Sequence, residues 1–292
     1  MTTTSVKKTI GNYADSVYYG ISDSAGYLNG ATETAPAAGN ADGSAMARLL
    51  HVQNFPFQPV DPDMPSQKGD GGVAARFINK PTELPDSDMV FGSADYDFYA
   101  LCQSLKVATH GGGRFILSQA YDPTFRDLMF LVTAPAKSQE VASLNAGHWE
   151  ARLILKAQAV PKGRDAYKTD GLPTYGYKMV ANYANAYPFG HAFSEADEGD
   201  VQGVALEFTW PYRPILQRWT GNNILVTYNL AYAIAEDSAD NIVVFQDGVA
   251  ITYAAGAPTA GQFGITAGTP DLLVFGTAPT ASAKIVALYG RT

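Results

Sequence analysis

From His148 to Gly163 the chain reads HWEARLILKAQAVPKG, in which Trp149, Ala151, Leu153, Leu155, Ala157 and Ala159 alternate with Glu150, Arg152, Ile154, Lys156 and Gln158. Strand side chains point to opposite faces with period two, whereas an amphipathic helix needs apolar residues every three or four positions. The segment therefore predicts one long strand with an apolar face and a mostly polar face. YGYKMVANYANAYPFG repeats the pattern with Tyr175, Tyr177, Met179, Ala181 and Tyr183 on one side, and GRDAYKTDGLP between the two has the residues of a hairpin connection. SVYYGIS from Ser16, ARLLHVQNF from Ala47 to Phe55, RDLMFLVTA, and VALEFTWPY from Val204 to Tyr212 read as further strands.

Composition points the same way. Only 16% of the 292 residues are charged, well below the usual quarter, and plentiful Gly, Ala, Thr and Tyr favour strands and turns over long surface helices. The best helix is SADYDFYALCQSL, Ser93 to Leu105, with Phe98, Leu101, Cys102 and Leu105 at helical spacing and Ser93 or Asp95 as N-cap. Between the strands, Leu28 to Ser44 has almost no bulky apolar residues and PFQPVDPDMPSQKGDGG carries four prolines. Both read as long loops of the kind that order on contact with a partner.

Near Gly221-Asn222-Asn223 the composition changes. Beyond it the only basic residues are Lys284 and Arg291, and short β-runs recur: ILVTYNLAYAI, IVVFQ, VAITY, DLLVFG and KIVALY. Asp247-Gly248 between two of them is the strongest hairpin signal in the chain. The expected organisation is a main β-domain over 1–220 and a small separate β-domain over 221–292, so that a cut after Thr220 would leave the main domain folded.

Charge and cysteine narrow the chemistry. With 20 basic against 28 acidic side chains the net charge is −8, and no cluster of Lys and Arg is present to hold nucleic-acid phosphates. The single cysteine, Cys102, excludes an internal disulfide and a cysteine zinc site, and reads as a small buried hydrophobe. Lys7 and Lys8 are followed by no apolar signal region, and no stretch approaches the roughly 20 apolar residues of a membrane span. The chain is expected to be made in the cytoplasm.

Apparent catalytic motifs fail on context. His110-Gly111-Gly112-Gly113 matches an esterase oxyanion motif, but no G-x-S-x-G nucleophile elbow accompanies it. Gly69-Asp70-Gly71-Gly72-Val73-Ala74 has the letters of a dinucleotide fingerprint without the strand before it or the helix after it. His51, His110, His148 and His191 have no metal-ligand spacing. SEADEGD, Ser194 to Asp200, packs four carboxylates together, yet with Gly199 as the sixth residue of a calcium loop the ligand positions fall on Ser194, Ala196, Glu198 and Ala205. Ala196 and Ala205 cannot ligate. Glu195, Asp197, Glu198 and Asp200 thus read as a solvated acidic loop without metal, although a hydrolase built on scattered carboxylates stays open.

From about Ser16 to Tyr212 the order of features resembles the major tail tube proteins of long-tailed, siphovirus-like bacteriophages. The resemblance is carried by PTELPDSDMVFGSADYDFYALCQSLKV, RDLMFLVTAPAKS, HWEARLILKAQAVPKGRDAYKTDG and YGYKMVANYANAYPFGHAFSEADEGD, ending in LEFTW. It implies a mainly β fold, a sandwich or barrel flanked by one helix, with copies closing into hexameric rings that stack into a tube conducting DNA. The segment after Gly221 resembles the small immunoglobulin-like β-domains appended to phage tail proteins, placed on the outer tube wall. The implied partners are further copies of the chain and the tape measure, tail tip and terminator proteins, with DNA passing through without specific binding. No catalytic residue, cofactor or metal is implied, and the acidic loop would face the lumen or the rim. The implied location is the virion tail, assembled in the host bacterial cytoplasm. The other expectation from the sequence is a virion surface β-protein that binds a receptor glycan without self-assembly.

Overall fold

The computed structural model describes residues 16–30, 41–42, 44–49, 52–55, 66–69, 72–76, 86–91, 96–103, 108–110, 113–115, 124–135, 148–164, 174–190, 205–268 and 271–292. The fold is mainly β. One nine-stranded sheet holds β1 (Ser16–Ser22), β2 (Leu28–Gly30), β5 (Ala47–Leu49), β6 (Val52–Asn54), β9 (Asp86–Phe91), β12 (Leu128–Pro135), β13 (Trp149–Arg164), β14 (Tyr175–Ala181) and β15 (Ala205–Trp210). A second nine-stranded sheet holds β3 (Ala41–Asp42), β4 (Ser44–Ala45), β16 (Arg213–Thr220), β17 (Thr227–Asn229), β18 (Ile242–Gln246), β19 (Val249–Tyr253), β20 (Gln262–Thr266), β21 (Leu272–Phe275) and β22 (Lys284–Arg291). Two hairpins, β7 (Ser66–Gly69) with β8 (Gly72–Arg76) and β10 (Ala108–His110) with β11 (Gly113–Phe115), stand apart, and the single helix described is α1 (Tyr96–Cys102).

The first sheet is curled and apolar on both faces. Its middle strand β12 buries Leu128 and Phe130 on one side and Met129 and Leu131 on the other, which explains the unbroken apolar run LMFLV. Val17, Tyr19, Leu128 and Phe130 pack with Phe98 and Cys102 of α1. The Phe98 ring lies 4.9 Å from that of Tyr19 and 5.2 Å from that of Tyr177; burying such a ring contributes about 1.5–3 kcal/mol. Tyr18, Met129, Leu131, Leu153 and Leu155 instead join the core of the second sheet.

Strand β13 departs from the alternation that predicts it. Leu128 pairs with Ala157 but Phe130 with Ile154, so β13 gains a residue on β12 between them. This bulge reverses the parity of the side chains. Ala151, Leu153 and Leu155 face the second sheet, whereas Ala157 and Ala159 lie with Ile154 in the α1 core. The sequence shows one apolar face because a bulge leaves no mark on the spacing of residues. In the same sheet Tyr183 is 44% exposed, since β14 ends at Ala181 and the chain turns to let the amides of Asn185 and Ala186 donate to the Ala25 carbonyl.

The second sheet nearly closes into a barrel, in the order β3-β17-β21-β20-β19-β18-β22-β16-β4. Its end strands β3 and β4 are neighbours in sequence. β3 runs parallel to β17 and β4 antiparallel to β16, so Ala41–Asp42 and Ser44–Ala45 lie at the two sides of the gap between β16 and β17. Met46 follows, fully buried, its amide donating to the Leu216 carbonyl at 3.1 Å, and β5 then returns to pair with β1. Inside the barrel the Tyr289 hydroxyl and the Ala231 amide both donate to Gln217 Oε1 at 2.9 Å, while Gln217 Nε2 donates to the Asn229 carbonyl at 3.0 Å. Such a buried polar group is tolerated because both its oxygen and its nitrogen are hydrogen-bonded.

The compositional break at Gly221 falls within this barrel. β16, which precedes it, pairs along its whole length with β22, from Arg213↔Arg291 to Thr220↔Lys284. Gly221 extends this contact, its amide donating to the Ala283 carbonyl at 2.8 Å. We predict that a chain ending at Thr220 loses cooperative unfolding, because β16 and the Met129, Leu131, Leu153 and Leu155 face lose their cover. Denaturant melts followed by tryptophan fluorescence check this; a sharp native transition in the truncated chain would overturn it.

Candidate functional site

Glu195, Asp197, Glu198 and Asp200 lie outside the described residues, as does His191. The stretch that holds them joins Gly190 to β15, and β14 and β15 occupy the same edge of β13, at Ala157–Arg164 and Trp149–Ile154 respectively. Of the motif-like glycines, Gly69, Gly72 and Gly113 lie in paired strands. His110 pairs with Gly113 in the β10–β11 hairpin and Gly69 with Gly72 in the β7–β8 hairpin. Among the described residues no group of three or more His, Cys, Asp or Glu side chains could hold a metal ion, and no helix is long and apolar enough to cross a membrane. Cys102 is buried against Phe98 and its neighbours. Asp247-Gly248 forms the expected hairpin turn, with φ of 49° and 82° at the two residues, the left-handed geometry that a type I′ turn requires.

The chemistry that the structure does concentrate lies where the barrel meets the first sheet. From residue 205 onward the chain has four basic residues, Arg213, Arg218, Lys284 and Arg291. Each sits over a ring of the first sheet. Arg213 lies 4.5 Å from the Trp149 ring, Arg218 5.4 Å and Lys284 5.0 Å from that of Tyr27, and Arg291 5.3 Å from that of Tyr18. Arg291 also lies 4.6 Å from the barrel's own Tyr232 and donates to the Tyr18 hydroxyl. The Phe189 and Phe245 rings stack at 4.5 Å between the same two layers. Strand periodicity positions these groups: Arg218 and Lys284 lie on neighbouring strands β16 and β22 with side chains toward Tyr27.

Tyr27 is held for this role by its turn. Asp23 Oδ1 accepts from the amides of Ala25, Gly26 and Tyr27, each at 2.9 Å. Gly26 has φ of +99°, and a side chain there would run into Ala184. Burial pushes the Tyr27 hydroxyl up from 10.0 to about 12, opposed by Arg218 and aided by Asp247 and Asp23. Burial likewise raises Tyr289 in the barrel interior.

The carboxylates of the barrel are used differently. Asp247 accepts from the Lys284 amide, Asp271 from the amides of Ile234 and Gly268, Glu236 from the Tyr212 hydroxyl and Asp237 from the Tyr253 hydroxyl. They cap loops, and Glu236, Asp237 and Asp240 remain exposed. Sequence reasoning missed the inward use of the cations. The available signal was their scarcity: a barrel with so few positive charges has placed all four of them on two strands, β16 and β22. A scan against models of known protein families finds no match to this chain, and neither does a search of curated proteins.

Two measurements check the junction. In a double-mutant cycle, Trp149→Leu and Arg213→Met are expected to couple by about 0.5–2 kcal/mol in unfolding free energy; additivity would show that the stacked pair contributes nothing beyond packing. A tyrosine whose folded hydroxyl titrates above its unfolded value contributes stability that is complete below the unfolded value and drains as pH rises. Stability is therefore expected to fall between pH 10.0 and about 12, and Tyr27→Phe to flatten that fall in urea melts at successive alkaline pH values.

Proposed function

We propose that the chain is a structural subunit of the tail tube of a long-tailed bacteriophage, its copies closing into hexameric rings that stack around a channel for DNA. The observation that carries this reading is the curled first sheet with strand edges that no described strand occupies. β13 runs past the end of β12, and among the described residues no strand pairs with its β12-side edge from Gln158 to Arg164. Among the described residues β15 likewise pairs only with β13. A free edge presents backbone donors and acceptors to another chain, which is how a sheet continues between subunits. The resemblance over Ser16 to Tyr212 supplies the rest of the reading: ring, tube, tape measure, tip and terminator partners, and a place in the virion tail after assembly in the host cytoplasm.

Electrostatics supports the conduit. The chain carries −8 and has no cluster of Lys and Arg. DNA moving past such a surface meets little that would retain its phosphates. In this reading SEADEGD adds negative charge to the lumen or the rim, and the barrel lies on the outer wall.

Negative-stain electron microscopy and sedimentation velocity of the full chain at rising concentration test the proposal. Stacked six-fold rings or tubes are expected, in solution or on addition of a tail-tip initiator. A protein that stays monomeric under both conditions and retains a saccharide on glycan arrays would overturn the tube reading in favour of a receptor-binding β-protein.

A further inference from the structure

We infer that β3, β4 and Met46 form a strap that opens as a unit while the barrel and the first sheet stay folded, baring two strand edges that it guards when closed. The strap belongs to an excursion from one edge of β1. The chain leaves that edge at Gly30, paired with Ile21, and rejoins it at Ala47, paired with Tyr19. On its other edge β1 stays paired with β12 from Ser16 to Ile21. Both ends of the excursion are therefore fixed close together on one strand, and the part between them can move without disturbing the sheet.

The hold of the strap on the barrel is brief. β3 meets β17 at Tyr228↔Ala41 and Asn229↔Asp42, in parallel register, and β4 meets β16 at Gln217↔Ala45 and Arg218↔Ser44. Parallel pairing is the less stable kind per residue, and ladders this short leave few backbone bonds to break. By contrast β16 is paired with β22 along all 8 of its residues. What anchors the strap is its C-terminal end, where Ala45 and Met46 are buried and the Met46 amide donates to the Leu216 carbonyl at 3.1 Å.

Closure of the barrel does not depend on the strap. Across the same gap Gln217 Nε2 and Trp219 Nε1 of β16 both donate to the Asn229 carbonyl of β17, at 3.0 and 3.2 Å, and Gln217 Oε1 accepts from the Ala231 amide. These side chains tie β16 to β17 directly, and β17 is held on its other side by β21. Release of the strap removes the short ladders and the burial of Ala45 and Met46, and it leaves the gap bridged. It bares the backbone of Gln217 and Arg218 on one strand and of Tyr228 and Asn229 on the other, edges of the kind that pair with a foreign strand when uncovered. Segments held by few buried contacts open locally at a free energy well below that of global unfolding.

Thiol labelling without denaturant tests the strap in the full chain carrying Cys102→Ala, with Met46→Cys on the strap, Leu49→Cys on β5 and Val286→Cys on β22, positions that are all buried. Met46→Cys is expected to react with a maleimide at least about a hundredfold faster than the other two, at a rate that low urea barely changes because little surface is exposed on opening. Equal rates at all three positions would mean that the thiol is reached only by global unfolding, and the inference falls. Leu49→Cys reacting as fast as Met46→Cys would show β5 leaving with the strap, which overturns it as well. Hydrogen exchange of the parent chain followed by mass spectrometry gives the same reading without substitution and decides the matter should a variant fail to fold. Peptides covering Met46 are expected to exchange ahead of those covering residues 286–288, and equal protection overturns the inference.

Discussion

A sheet that is apolar on both faces has to be covered twice, and most of this architecture follows from that requirement. β12 buries alternate residues in opposite directions, so one cover cannot satisfy it. The short helix α1 provides cover on one side, with Phe98 and Cys102 among its buried residues. The other side demands much more, and the barrel supplies it with Leu216, Val286 and Leu288 against Met129, Leu131, Leu153 and Leu155. The barrel is thereby both a closed unit with its own filled interior and the outer layer of a larger sandwich. The two roles use opposite faces of the same strands, β16 and β22.

Fixing a barrel onto a sheet through apolar contact alone would leave its orientation weakly specified, since apolar attraction has little directionality. The stacked cations add that specification. A guanidinium over a ring prefers the face of the ring and loses the contact when displaced, so contacts at Trp149, Tyr27 and Tyr18 define a plane of docking. Aromatic rings can hold these cations inside a layered protein without the desolvation penalty of a buried carboxylate pair. One result is that, apart from Lys284, the exposed charges of the barrel are acids.

Local features of the fold were legible in the chain and its long-range closures were not. The strands at SVYYGIS, RDLMFLVTA and HWEARLILKAQAVPKG, the Asp247-Gly248 hairpin and the helix around Phe98 each follow from the spacing of a few neighbouring residues. The bulge in β13 is invisible for the reason that makes strands legible: periodicity reports the face of each residue relative to its neighbours and not the register with another strand. The break at Gly221 is a real change of composition, but the barrel recruits β16 from before it because pairing with β22 is decided by shape and not by charge content. Ala41–Asp42 and Ser44–Ala45 are too short and too plain to signal strands at all. Of the acids singled out at 195–200, neighbours in sequence cannot say where they stand in space.

The placement of β3 and β4 also orders events in time. During synthesis this segment leaves the ribosome long before β16, β17 and β22, the strands that form its slot and define its edges, have been made. Until then it has β1 nearby to hold the following β5 but nothing to hold itself. The barrel cannot be a folding unit completed after the rest, because one of its staves was laid down first and its final strand comes last. Contacts so far apart in sequence are slow to form, so the nascent chain must pass through a stage in which Met46 and the barrel face of β12 await a cover that only the C-terminal strands bring.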